Sequence, residues 1–160
     1  MVSDARFGIE LYDGPDRTQV VDGKPATVVG HVWSPDAERI VTTGDGRVLI
    51  VDPSGANPTP LNANLDSTEA FLEAFRVFYL GDRPPVAPKM TVAEARARLA
   101  ALQRNETLPE SAPPAAAPRA ERVATLRARL EAQDPDAVVL GTWWSRILQR
   151  PEFDTNTPGR

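Results

Sequence analysis

His31 is the only histidine in a chain of 160 residues that has no cysteine. These two counts remove much familiar chemistry. Disulfides, thiolate nucleophiles and cysteine zinc sites are excluded, and zinc or non-haem iron would lack paired imidazoles. What remains for acid–base work is one imidazole and a set of carboxylates. His31 lies within the apolar run TVVGHVW, and strand alternation would put its ring on the same face as Trp33. A packed histidine is expected there rather than a general base. A serine nucleophile needs a sharp Gly-x-Ser-x-Gly turn, whereas Ser34-Pro35 and Ser54-Gly55 are ordinary turns. Gly44-Asp45-Gly46 lacks the following helix and the lysine of a phosphate loop and reads as a hairpin tip. No calcium-loop pattern occurs. No enzyme, metal or cofactor is expected.

The carboxylates Asp13, Asp16, Asp36, Glu38 and Asp45 all fall at turn signals, where they form either solvated turn groups or an acidic rim. Residues 1–88 hold 13 acids and 7 bases, net −6; residues 89–160 hold 9 acids and 11 bases, net +2. An acidic front half lacks the clustered bases that phosphate binding requires, so no nucleic acid is expected. It suits a basic protein partner, drawn in by electrostatic steering. The arginines of residues 96–129 alternate with glutamates and read as solvated helix faces. Trp143-Trp144 is the most unusual dipeptide: adjacent helical residues point about 100° apart, so one ring can seal the core while the other nears the rim. The candidate partner-binding residues are therefore Asp13, Asp16, Asp36, Glu38, Asp45 and Trp143.

The elements that must position these residues change character midway. Phe7, Ile9 and Leu11 alternate with polar or small residues, a half-buried strand. Residues 19–21 and 27–33 read as further strands, with a bulge near Gly30. Residues 39–43 and 47–51 flank the Gly-Asp-Gly tip as a hairpin. Val48 and Ile50 point one way, and Leu49 and Val51 the other, as in a central strand covered on both faces or one packed under a helix. GHVWSPDAERIVTTGDGRVLIVDPSG has the look of one propeller blade. A propeller needs several blades, and no repeat follows. After a loop at 53–64, Asp66 or Ser67 caps a helix striped by Phe71, Leu72, Phe75 and Phe78. A second helix opens at Thr91 with a capping box to Glu94 and an inner face of Val92, Ala95, Leu99 and Leu102. The Pro/Ala-rich stretch 107–118 is expected to be a flexible loop. Val123, Leu126 and Leu130 mark a third helix over 119–133, and a short last helix spans about Thr142 to Arg150. Strands first and helices after is the order of an α+β fold, with an antiparallel N-terminal sheet covered by C-terminal helices in one domain over 1–160. The N-terminus shows no signal peptide, and no stretch reaches membrane-spanning length. A reducing cytoplasm suits the absence of cysteine, and the Ala, Pro and Arg content suits a GC-rich genome.

The run GDGRVLIVDPSGANPTPLNANLDSTEAFLEAFRVFY resembles the SUKH superfamily, and within it the SUKH-4 type of immunity protein. The matching features are Gly46, Val48, Asp52, Pro53, Asn62 or Asn64, Ser67 and Phe71. The segment DPDAVVLGTWWSRILQR is similar to the closing helix of that group through Trp144, Ile147 and Leu148. The spacing from Asn to Phe is stretched, and 107–118 would be an insertion. The resemblance implies an α+β fold and a bacterial protein that binds and neutralises a cognate polymorphic toxin without catalysis. A structural or regulatory module of a larger assembly is the alternative.

Overall fold

In the computed structural model, which describes residues 2–82, 91–104 and 117–154, the apolar alternation of the first half becomes seven strands. They are β1 (Val2–Asp4), β2 (Ile9–Leu11), β3 (Thr18–Val21), β4 (Lys24–Val32), β5 (Glu38–Thr43), β6 (Val48–Val51) and β7 (Thr59–Asn62). Four helices follow: α1 (Leu65–Leu80), α2 (Val92–Gln103), α3 (Arg119–Gln133) and α4 (Trp143–Leu148). Every pairing in the sheet is antiparallel, in the order β1-β2-β4-β5-β6-β7, and β3 pairs with the start of β4. The fold is α+β, with a curled sheet first and helices after.

β2 and β3 line the same edge of β4. Tyr12 N donates to Val29 O at 2.8 Å, and Asp16 N donates to Val28 O at 3.0 Å. Asp13-Gly14-Pro15 therefore loops out of an otherwise continuous pairing, because Pro15 has no N–H to give the ladder. On β4 the register shifts between Val28 and Gly30, where the sequence predicted a bulge.

Curling gives the sheet two apolar faces. Ile9, Leu11, Ile40, Val48, Ile50 and Leu61 form the first, under Phe71, Phe75 and Phe78 of α1 and Val123, Leu126 and Leu130 of α3. Val21, Ala26, Val28, Val41 and Val51 form a smaller core on the other. Val48 and Ile50 thus enter one core and Val51 the other, as their alternation requires. The loop after β6 closes over β3: Gly55 takes φ +84°, and a side chain there would collide with Val20 O.

Three expectations are corrected. The stretch 53–64, expected to be loop, holds the edge strand β7. Asn64, not Asp66 or Ser67, caps α1, accepting from Ser67 N at 2.8 Å. Replacing Asn64 with alanine should cost about 1 kcal/mol, read by thermal or urea unfolding. In α2 the Thr91–Glu94 capping box is present, but its supposed inner face is not one. Val92, Leu99 and Leu102 are 70%, 59% and 67% exposed, and Ala95 is exposed too. Periodicity marks a stripe but does not supply the surface that covers it. Leu99→Glu should therefore change stability by no more than about 0.5 kcal/mol, against the 2–5 kcal/mol lost at a core leucine. A loss in the second range would put Leu99 back in the core. Pro84-Pro85 and most of the 107–118 stretch lie outside the described residues. Among the described residues no helix is long and apolar enough to cross a membrane.

Candidate functional site

The register of β2, β4 and β5 sets Glu10, His31 and Arg39 side by side. They project to the face opposite the main core, since Ile9, Val32 and Ile40 beside them point into it. His31 is buried. Its Nδ1 lies 3.0 Å from the Tyr12 hydroxyl, and its Nε2 lies 3.8 Å from Glu10 Oε2. With the proton on Nε2, Nδ1 accepts from Tyr12 and the N–H faces Glu10. Arg39 Nη1 donates to Gln19 Oε1 at 2.9 Å and to Pro53 O at 3.1 Å. These bonds tie the curled edge to the loop after β6.

A Tyr–His–Glu series has the order of a proton relay, but its electrostatics point elsewhere. Burial, Asp16 and Glu10 push the Tyr12 hydroxyl above its usual value. The phenol stays protonated, and a phenolate nucleophile is disfavoured. What the series does is fix the Tyr12 ring. That ring forms one wall of an open depression of about 540 Å³, with Gly14, Pro15, Asp16, Arg17 and Pro35. Among the described residues no three metal-ligating side chains gather at one point.

The five turn acids do not form one rim. Asp13, Asp16, Asp36 and Glu38 are exposed. Asp16 and Pro35 line the same depression, and Asp36 follows Pro35. Glu38 opens β5 opposite Val32. Asp45 lies beyond the other end of β5, about 20 Å away along a six-residue strand. It is engaged locally, by the Thr43 hydroxyl and by Arg47 Nε at 2.8 Å. Those bonds hold its carboxyl below the usual range. Trp143 is half-buried, edge-on to Trp144 at 4.7 Å and to Phe7 at 6.5 Å, so much of its surface is spent inside the chain.

The side chain that sequence reasoning passed over is Trp33. β4 ends at Val32, and Trp33 takes a left-handed backbone with φ 64°. Alternation therefore does not extend to it, and the expected pairing of its ring with His31 has no basis. Trp33 N donates to Gly8 O at 2.6 Å. The indole lies over Gly8, where any side chain would collide with it. It is nonetheless 65% exposed. The only forewarning in the sequence was its place just before the Ser34-Pro35 turn. A bulky residue with φ above zero is too rare to predict from that.

Comparison with protein-family models, curated proteins and solved structures found no match.

Proposed function

We propose that this chain is a non-catalytic immunity protein that binds a basic cognate toxin in the cytoplasm and blocks it by covering its working surface. Trp33 carries the reading. A tryptophan in left-handed backbone costs on the order of 1–2 kcal/mol, and exposing the ring gives up burial that a core site would gain. Its seat over Gly8 leaves 65% of the side chain exposed, so packing there repays these costs only in part. A partner would repay the rest, because desolvated tryptophans flanked by polar groups are the residues that most often dominate binding. Glu38 and Asp36 stand beside it in sequence and register, and the net charge of −4 favours approach of a basic protein. Inhibition would then be steric and electrostatic, the acids standing where a nuclease expects phosphates.

The test is direct. An immunity gene lies next to that of its toxin, so the neighbouring gene product is co-expressed and mixed with this chain. A complex at micromolar concentration, together with restored growth of toxin-expressing cells, is expected. No complex at that concentration removes the proposal. One observation favours a second reading, a structural or regulatory module of a larger assembly: the exposed seam Val92, Leu99 and Leu102 on α2. Under that reading Leu99→Glu would abolish association and Trp33 variants would not.

A further inference from the structure

We propose that the depression between residues 12–17 and the turn at 33–36 receives an arginine side chain from an extended loop of the partner. This rests on the reading of the chain as a protein-binding module and assigns the chemistry of its contact. The lining is one aromatic ring, two prolines, one glycine and the Asp16–Arg17 pair. Pro15 and Pro35 have fixed φ and no N–H, so they make stiff walls without donors. The charged acceptor at the lip is the Asp16 carboxylate. Tyr12 cannot swing freely, because its hydroxyl is tied to buried His31. A planar cation that stacks on a fixed ring and forks onto a carboxylate is a guanidinium. An ammonium would gain the charge but neither the stacking nor the fork.

Arg17 now occupies that carboxylate. Its Nε lies 3.4 Å from Asp16 Oδ2, with the two side chains 51% and 47% exposed. A pair so exposed is weak, so an incoming guanidinium can replace it. Two variants should then act in opposite directions. Asp16→Asn removes the acceptor and should lose binding. Arg17→Ala frees the acceptor and should tighten binding several-fold.

The probe is acetyl-Gly-Arg-Gly-amide, with its lysine and citrulline counterparts, titrated into isotope-labelled full-length chain at low salt. The arginine peptide is expected to give saturable shifts at Tyr12, Gly14 and Arg17, with a Kd of about 1 mM, near the weak end of the affinity scale. The citrulline peptide should give none, and the lysine peptide should bind at least about fivefold more weakly. Equal response to lysine and arginine, shifts confined to other surfaces, or an Asp16→Asn chain that responds like wild type would each overturn the assignment. With the intact partner, an Asp16→Asn chain that binds normally overturns this surface and leaves the immunity role standing. A wild-type chain that forms no complex overturns both.

Discussion

Asp134→Ala is expected to lower the melting temperature by about 10 °C, corresponding to a loss of about 3 kcal/mol for a chain of this size. Asp134 is the residue at which α3 ends, and it is almost fully buried. Its Oδ2 accepts from Asn62 Nδ2 at 3.0 Å and from Ala63 N at 2.7 Å. Asn62 Oδ1 in turn accepts from Trp144 Nε1 at 2.9 Å. One short chain of polar atoms thus joins the last strand, the end of α3 and the first turn of α4. Removing the carboxylate orphans the buried Asn62 amide, which costs about 1–3 kcal/mol, and also takes the partner of the part-buried Ala63 N–H. Asn62→Ala should cost a comparable amount, because it strands the buried Trp144 N–H and leaves Asp134 Oδ2 with Ala63 N as its donor. The double variant should cost less than the sum of the two, with a coupling of about 1–2 kcal/mol. Additive losses in urea unfolding would show that the two residues act separately.

That network also marks the limit of what is legible in the sequence. α3 was legible because Val123, Leu126 and Leu130 recur at helical spacing within one segment and are all buried. The Thr91–Glu94 box was legible because its two partners stand only three positions apart. The two-faced strand β6 and the bulge on β4 followed from alternation and from Gly30. Asn62 and Asp134, by contrast, are 72 residues apart, and no local pattern predicts their meeting. β7 is hidden in the sequence because Pro60 and its flanking polar residues look like turn chemistry. It is an edge strand, where proline costs no ladder bond on its outer side. α2 departs in the other direction: among the described residues its stripe is exposed, and Ala101 is its buried residue.

The candidate site divides in the same way. The turn acids were visible as residue types at turn signals, but their grouping depends on strand lengths and on the curl of the sheet. Asp16 and Asp36 share one end because Asp13-Gly14-Pro15 loops out and the 33–36 turn reaches back to it. Asp45 is removed by the full length of β5. Trp143, singled out as an unusual dipeptide member, spends its surface against Phe7 and Trp144. The exposed tryptophan is the one that alternation assigned to a strand.

Trp33→Gly is expected to weaken partner binding by at least about thirtyfold, some 2 kcal/mol, while leaving the melting temperature near that of the wild type. The two halves of this outcome come from the same geometry. Glycine adopts the left-handed backbone at no steric cost, so the substitution relieves on the order of 1–2 kcal/mol of strain. It forfeits the contact of the indole with Gly8, while 65% of Trp33 already faces solvent. Folding is therefore nearly balanced and binding is not. Gly8→Ala separates the contributions further. Its φ of +67° and the overlying indole leave no room for a methyl group, so it should push Trp33 from its seat and cost about 1–3 kcal/mol of stability. Binding should fall in both variants, although one is stable and the other is not. Calorimetric titration of the proposed partner into each chain, alongside thermal unfolding, decides it. A Trp33→Gly chain that binds like wild type would mean that the indole is held out for some purpose other than this partner.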